Sequence, residues 1–519
     1  MTATRTPPRA RLDDTPIDAD TVKSWAAVLV GNLVAPDRRR LDRALWAAPL
    51  AAIAAGVVVA FGGGPIGLAA VGMIALAVLV WNHPPVAGYT MVAVAPMIVG
   101  FGRDQVLPLV RPNEALLFAL CGLLSARWLV YSRRARFSFN RVDWAIVAIV
   151  ACGFFVPLTA QLIRLRPLST EDFFYSLVFI RIGLLYALVR CTIRTAGQVR
   201  ASVGFSLATA SFLGILGLMD SLNLFNAAEY LNPYFPNEGF IVNDGRGAAS
   251  IGNPIGFGVY SAMNALIAIA FLLAGERPKR ALGVAAVMTT LGVFGSGQIG
   301  PVVSFLAGLA ALAIVTKSVR RLIVMSLPVL LVAGFAVAPL AQRRLQGFDG
   351  AAITSAERND VQNLPNQDRG RALFEMNPGS SWDVRLYNLE TYFVPKFDDV
   401  NNIIWGVSPQ ARVVSPRKGE DFIWIESGHL WLLWSGGIPL FLAWFALIGM
   451  GMVTARRVLR TTPGPVGAVG AGVFGALMTV NLAQTFDPHI TLRGSADILY
   501  PLLALVTVGW TVTTNRSRS

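Results

Sequence analysis

Three short segments of the chain carry side chains that could bind an anion or move a proton. Arg246 lies in a glycine-rich stretch, residues 243–254, before an apolar segment, and a guanidinium beside the free N–H groups of a helix start is a natural anion site. Arg385 lies on a predicted amphipathic helix. His429 closes the run Glu426-Ser-Gly-His429 and can accept a proton from a hydroxyl near neutral pH. The plainer interpretations are solvated arginines and a histidine of an aromatic interface belt.

Other polar residues lie within or beside apolar segments. Arg181 is in the middle of one, where an unpaired charge is costly, so we expect it to face a cavity or a charged partner. We expect Asn253, Gln298 and Glu426 to line or shape the cavity in which these groups act.

The sequence lacks the motifs of several other reaction classes. No His, Cys or acidic spacing resembles a metal site, and neither a P-loop nor a serine nucleophile elbow is present. The three cysteines fall in predicted helices and are interpreted as small buried apolar residues. We therefore expect no metal, no cofactor, and neither an ATP-driven nor a covalent hydrolytic mechanism.

The composition predicts the elements that position these residues. The chain is 54% hydrophobic and 14% charged, with a mean hydropathy of +0.56, which is typical of a polytopic membrane protein. We predict an all-α membrane helix bundle of about 14 transmembrane helices (range 12–14). The predicted helices are 44–62, 65–82, 85–102, 113–131, 143–163, 173–190, 199–219, 253–274, 281–297, 300–316, 321–340, 429–453, 465–486 and 496–513.

The charges of the connecting segments predict the orientation. The basic segments 131–141, 190–200, 274–280, 317–321, 455–460 and 515–519 would share one side, so we predict this side and both termini to be cytoplasmic. Between Arg343 and Glu426 there are ten basic and twelve acidic residues, so that loop lacks a positive excess and is placed outside. Because the basic loops explain most of the net charge of +14, no nucleic-acid partner is expected.

The predicted organisation has five parts. A disordered tail with an interfacial amphipathic helix (1–43) precedes a transmembrane bundle (44–340). A large extracytoplasmic loop subdomain (341–428), the C-terminal transmembrane helices (429–513) and a short cytoplasmic tail (514–519) follow. Inside the loop, Ser380-Ser-Trp-Asp383 indicates a helix start. Apolar residues then recur at helical spacing and predict a helix lying over the bundle: Trp382, Leu386, Leu389 and Phe393.

Taken in order, these motifs resemble those of the O-antigen ligase/polymerase family of bacterial envelope glycan transferases. The motifs are the Arg246-Gly…Asn253-Pro254 entry to a helix, Arg385 followed by Asn402-Ile-Ile-Trp-Gly, and the post-loop helix start at Ser427-Gly-His429. The resemblance covers roughly residues 170–510. Two positions depart from it: Gln298 and its neighbours replace a Ser-Arg pair, and Leu430 replaces an Asn.

The resemblance implies a glycosyltransferase of the bacterial inner membrane. It would move a glycan from a polyprenyl diphosphate, embedded in the outer leaflet, onto an acceptor hydroxyl, without a metal and with inversion at the anomeric carbon. Arg246, Arg385 and Arg181 would hold the diphosphate, and His429 would act as the base. The implied partners are the lipid-linked donor, a glycan or lipid acceptor, the bilayer and other polysaccharide-assembly membrane proteins.

Several alternatives stay open at this point. The sequence does not separate a polymerase, which extends a repeat-unit chain, from a ligase, which moves the chain to another acceptor. A transporter or flippase of lipid-linked glycans is the main rival, and it predicts paired charges deep in several helices. A metal-dependent membrane glycosyltransferase is a third candidate, although the first predicted outside loop carries no acidic motif.

Overall fold

In a computed structural model, the described residues form α-helices and one small β-hairpin. The structure describes residues 64–102, 110–131, 139–236, 245–324, 326–327, 330–331, 381–414 and 422–516. The predicted tail 1–43, the helix 44–62, most of the helix 321–340 and the first half of the 341–428 loop lie outside the described residues.

The helices are numbered in chain order. They are α1 (Gly64–Asn82), α2 (Pro85–Ile98), α3 (Pro112–Tyr131), α4 (Arg141–Ile163), α5 (Thr170–Thr192), α6 (Ala196–Ser221), α7 (Ala227–Leu231), α8 (Pro254–Leu273), α9 (Lys279–Gly295), α10 (Ile299–Thr316), α11 (Ser381–Asn388), α12 (Val400–Trp405), α13 (Gly428–Thr461), α14 (Pro465–Ala483) and α15 (Ser495–Arg516). Most ends lie within about one helical turn of their predicted positions.

Within the described residues, eight helices are long and apolar enough to cross a membrane: α3, α4, α5, α6, α8, α10, α13 and α14. The protein is therefore membrane-embedded, and the predicted all-α membrane bundle is confirmed at this level. The chain divides into two compact units, Met1–His83 and Pro84–Ser519. In the first unit, α1 ends with the Asn82 amide donating to the carbonyl of Val78 at 2.9 Å. The second unit contains all other described elements.

Three successive helices begin at a reciprocal capping box. In each, the side chain of the residue before the helix accepts a backbone N–H, and the third helical residue accepts the N–H of the cap in return. These pairs satisfy N–H groups that would otherwise lack a partner at the helix start. The pairs are Asn140 with Asp143, Ser169 with Asp172, and Thr195 with Gln198.

The centre of the bundle is α8. Its most apolar window is 94% buried inside the protein, whereas that of α3 is 22% buried, so α8 is central and α3 peripheral. Glycines let the neighbours approach: a Cβ on Gly256 would meet the carbonyl oxygen of Arg493 at 2.2 Å, and one on Gly258 would meet Pro301 at 2.7 Å. Helices α9, α10 and α14 pack around α8.

Helix α13 reverses direction at Gly437, which corrects the prediction of one continuous helix over 429–453. Gly437 has φ 63° and ψ −160°, a conformation essentially restricted to glycine. The ring of His429 stacks on that of Phe445, with centroids 5.6 Å apart. In a straight helix, residues so far apart in sequence would be separated by about 24 Å. Residues 428–436 and 438–461 therefore form two arms joined by a tight turn.

A two-stranded antiparallel hairpin precedes α13. Strand β1 (Arg412–Val414) pairs with β2 (Phe422–Trp424), with Arg412 opposite Trp424. The sequence analysis did not predict these strands. The hairpin docks on the start of α5, where Arg412 pairs with Glu171 and Gln410 donates to Asp172 at 3.0 Å. These contacts fix the segment that leads into the candidate site.

Candidate functional site

An open cavity of about 190 Å³ lies where the loop subdomain meets the start of α13. Its wall is contributed by α11 and the π-helical turn after it (Leu389–Phe393), by β2, by the segment before α13 and by the α14–α15 connection. Most of the wall is apolar and one ion pair lies within it. The lining residues are Arg385, Leu386, Asn388, Leu389, Phe393, Trp424, Glu426, Ser427, Thr485 and Phe486.

The charged pair in this wall joins Arg385 to Glu426. The Arg385 Nε contacts a Glu426 carboxylate oxygen, and the two side chains keep 26% and 46% of their surface exposed. Arg385 lies in the last turn of α11, where a cation is favoured by the helix dipole. The predicted amphipathic helix is present here, with Leu389 and Phe393 on the cavity side. The structure thus brings two predicted site residues together.

A second carboxyl, which the sequence analysis missed, completes this cluster. Asp487 follows two lining residues in the α14–α15 connection and lies in the electrostatic field of both Arg385 and Glu426. Burial, reinforced by the charge of Glu426 and opposed by Arg385, raises the pKa of Asp487 to about 8. Burial also raises the pKa of Glu426, against the opposing effect of Arg385. Both carboxyls are therefore shifted toward their neutral forms.

Ser427 and His429 begin α13 beside this cluster. The Ser427 hydroxyl caps the helix by accepting the N–H of Leu430 at 3.5 Å. The His429 ring stacks on Phe445 and is hydrogen-bonded to the side chain of Asn481. Its Nε2 is buried without a hydrogen-bond partner among the described residues. His429 is two residues beyond the lining residue Ser427, and it does not itself line the cavity.

The segment around Arg246 is held tightly against α6 and α9. The N–H of Gly247 donates to the carbonyl of Gly295 at 3.0 Å, and Asp220 accepts the N–H groups of Ala248 and Ala249. A Cβ on Gly247 would meet the carbonyl oxygen of Gly217 at 2.0 Å, so glycine is required there. Arg246 itself does not line the cavity.

Asn253 and Gln298 both precede helices, as predicted. The Asn253 side chain accepts the N–H of Gly256 at 2.8 Å and caps α8. The Gln298 amide nitrogen is buried with no hydrogen-bond partner in the described part of the chain. Two residues further on, a Cβ at Gly300 would meet the lining residue Phe486 at 3.4 Å. The start of α10 therefore backs the cavity wall, although Gln298 is not in it.

Arg181 is placed inside the bundle, away from the cavity wall. Its guanidinium lies 3.6 Å from Glu114 of α3 and 3.7 Å from Asp497 of α15, and all three side chains are buried. The charged partner expected for this residue is therefore present. A role for Arg181 in diphosphate binding stays a prediction. A second buried pair joins Arg190 to Asp143 at 3.4 Å.

No protein-family model matches the chain, and no characterised protein matches it by sequence. The resemblance to the O-antigen ligase/polymerase family therefore rests on the short motifs alone and stays a prediction. In the described residues, no group of three or more His, Cys, Asp and Glu side chains is arranged to hold a metal ion.

Proposed function

We propose that this protein is a membrane glycan transferase. It moves a polyprenyl-diphosphate-linked oligosaccharide or polysaccharide onto an acceptor hydroxyl at the outer face of a bacterial inner membrane, without a metal and with inversion. We also propose about fourteen membrane-spanning helices, as the apolar segments predict. The termini would be cytoplasmic and the 341–428 loop extracytoplasmic, as the charges of the connecting segments predict. It includes both polymerase and ligase reactions.

The observation that supports this proposal best is the Arg385–Glu426 pair in an otherwise apolar cavity of a membrane-embedded protein. A lipid diphosphate presents an anion at the end of an apolar chain, and a guanidinium in an apolar wall suits that combination. Because the pair keeps solvent access, a phosphate oxygen can replace the Glu426 carboxylate on Arg385.

The raised pKa values of Glu426 and Asp487 favour the replacement of the Glu426 carboxylate by a phosphate oxygen. An anion next to Arg385 would be repelled by Glu426 and Asp487 if both were ionised. With a pKa of about 8, Asp487 is largely neutral at pH 7, and the pKa of Glu426 is shifted in the same direction. A neutral carboxyl can also donate a hydrogen bond to a phosphate oxygen. With Asp487 neutral, an approaching diphosphate meets the Arg385 cation and one carboxylate, that of Glu426, which it displaces.

The proposed reaction needs a proton acceptor and a stabilised leaving group. The acceptor hydroxyl oxygen bonds to the anomeric carbon while the bond from that carbon to the diphosphate oxygen breaks on the opposite face. The hydroxyl proton passes to the base, for which His429 is the candidate, and the charge left on the polyprenyl diphosphate is held by Arg385, the arginine that lines the cavity.

The test uses purified protein in nanodiscs with a polyprenyl-diphosphate oligosaccharide and an acceptor glycan. We expect turnover in EDTA, and loss of turnover in His429→Ala. Glu426→Gln and Asp487→Asn serve as matched variants, because either carboxyl could act as the base instead. If His429→Ala keeps full activity and Asp487→Asn loses it, the base has been assigned wrongly. If no variant and no acceptor gives turnover, or if chelation abolishes it, the proposed reaction fails.

A transporter or flippase of lipid-linked glycans is the second candidate. The observation that favours it is the buried ion cluster at Arg181, in the middle of α5, together with the buried Arg190–Asp143 pair, since buried paired charges in a membrane bundle also occur in transporters. Liposomes loaded with labelled donor separate the two functions. Movement of intact donor between leaflets without a new glycosidic bond would support the transporter and exclude the transferase.

A further inference from the structure

Helix α12 shows its apolar side to the outside and a polar residue to the inside. Asn402 is buried, with its amide nitrogen donating to the carbonyl of Lys396 at 2.7 Å. In contrast, Val400, Ile404 and Trp405 are exposed, with Val400 at 60%. Large apolar side chains left in water lose the favourable free energy of burial. The exposed side also carries the polar residue Asn401. A mostly apolar exposed side with a polar edge is typical of a segment at the membrane interface.

The exposed side of α12 adjoins another apolar surface at the end of α4. Arg164, which follows α4, donates to the carbonyl of Asn401 at 2.7 Å and to that of Gly406 at 2.8 Å. These bonds hold both ends of α12 against the α4–α5 turn. In that turn Ile163 is exposed, and Leu165 is 92% exposed. The two elements together present one exposed apolar surface.

We propose that this surface, formed by Ile163, Leu165, Val400, Ile404 and Trp405, lies in the lipid bilayer at the level of the headgroups. We call it the α12 surface. Its partner is the lipid of the membrane that surrounds the bundle. The part of the loop subdomain that carries α12 is then in contact with the membrane lipid and not surrounded by water. The inference goes beyond the proposed glycan transfer and does not depend on it.

Continuity with the lipid-facing side of α4 identifies lipid as the occupant. The exposed residues Trp144, Val147, Phe155 and Leu162 fall on one side of this helix at about 100° per residue. Because α4 is a membrane span by length and apolarity, that stripe faces acyl chains. Leu162 leads directly into Ile163 and the rest of the α12 surface, so the lipid-facing stripe runs on without a break.

The residues at the border of the surface fit the headgroup region. Trp405 is a tryptophan at the edge of an apolar patch, where its ring favours the membrane–water interface. Arg164 and the exposed Arg166 place cations beside the patch, and Arg166 also donates to the carbonyl of Val407 at 3.4 Å. A protein partner would not require such a gradation from acyl-facing residues through tryptophan to arginine. The gradation follows the depth profile of a bilayer.

Site-directed spin labelling of the full-length protein in nanodiscs tests whether the α12 surface lies in the bilayer. Cysteines 121, 152 and 191 are replaced by serine, and a nitroxide is attached to Ile404→Cys. The label's collision rates with oxygen, which concentrates in the bilayer, and with a water-soluble nickel chelate are then compared. Phe155→Cys on α4 is the lipid control, and Glu390→Cys, an exposed charged position, is the water control.

We expect the Ile404 label to collide more often with oxygen than with nickel, as the Phe155 label does, and the Glu390 label to show the reverse ratio. A nickel-dominated ratio at Ile404 would mean that the surface faces water and would overturn the proposal. Low rates with both reagents would mean that protein covers it, whether another copy or another segment of this chain, and would also overturn it. Should Ile404→Cys misfold, labels at Leu165 and Trp405 give the same decision.

Discussion

Arg181 and Arg385 both pair with carboxylates, but their surroundings differ. Arg181 is enclosed between Glu114 and Asp497, and all three side chains are nearly inaccessible to solvent. Arg385 pairs with Glu426 in the wall of an open cavity, where about a quarter of its side chain is exposed. One residue type therefore has two uses in the same molecule. The buried pair is a fixed part of the fold, and the accessible pair can exchange its partner for a ligand.

The physical reason for the difference is desolvation. A buried arginine has already lost its water, so its carboxylates are the only groups that balance its charge, and removing one partner leaves an uncompensated charge. An accessible pair gains little stability, because water and ions compete for both groups. This comparison makes opposite predictions for the two arginines, and the following changes test it in order of expected effect.

The largest effect is expected from Arg181→Ala. This change leaves Glu114 and Asp497 buried without their cation, and breaking a buried pair in this way costs about 3–5 kcal/mol. We expect a large fall in thermal stability, measured by unfolding of the purified protein in detergent. Combining Arg181→Met with Glu114→Gln and Asp497→Asn removes all three charges and should recover most of the loss. An Arg181→Ala protein of normal stability that no longer binds donor would instead place Arg181 at the ligand.

Arg385→Ala should have the opposite profile. We expect stability to change by less than about 1 kcal/mol, because the pair is accessible. Turnover with a polyprenyl-diphosphate donor should fall by about 10²–10³-fold, the usual consequence of losing a group that stabilises developing negative charge. Arg385→Lys keeps the charge without the planar fork, so its loss should be intermediate. Full activity in Arg385→Ala would remove this residue from the site.

A third change acts on the turn between the two arms of α13, the helix that follows the accessible pair. A Cβ at Gly437 would meet the carbonyl oxygen of Ile404 at 2.2 Å, and the backbone there suits only glycine. Gly437→Ala should therefore cost at least about 1–3 kcal/mol. Gly449→Ala is the matched control on the same helix, because a Cβ there has nothing within 4 Å. The control should be neutral or slightly more stable by thermal unfolding, and equal losses in both variants would contradict the role of the Gly437 turn.

Most of the fold could be predicted from the sequence, because apolar runs of membrane length have few alternative structures. The reversal in α13 also had a local signal, since Gly436, Gly437 and Pro439 interrupt the apolar run. The hairpin 412–424 had none, because its three-residue strands are too short to show alternation. Arg412 is held there by contacts with distant residues of α5.

The site was predictable only in part, for a related reason. Arg385 and Glu426 were singled out by the helix pattern and by the approach to α13, and they do meet. Asp487 looks like an ordinary loop acid, and its pKa is shifted because the folded chain buries it near Glu426. Likewise, the partners of Arg181 come from α3 and α15, and no local pattern connects them. Both sets of partners are determined by packing between distant parts of the chain, which a periodic sequence pattern does not reveal.

The smallest expected effect is the pH dependence contributed by Asp487. Its pKa is about 8 in the folded protein, against an ordinary value of 3.8, so between these values the folded state binds more protons here than the unfolded state does. Stability from this group is therefore fully present below about pH 4 and is lost as pH rises toward 8. Glu426 is shifted in the same direction, and Arg385 opposes both.

Asp487→Asn isolates this contribution, because the amide resembles the neutral carboxyl and does not ionise. The variant should gain thermal stability relative to the wild type as pH rises from 5 to 8, and the difference should level off above pH 8. If the difference is constant over this range, Asp487 is ionised in the folded protein. A phosphate bound at Arg385 would then face a fixed negative charge, and the accessible pair would no longer be suited to exchange its partner for an anion.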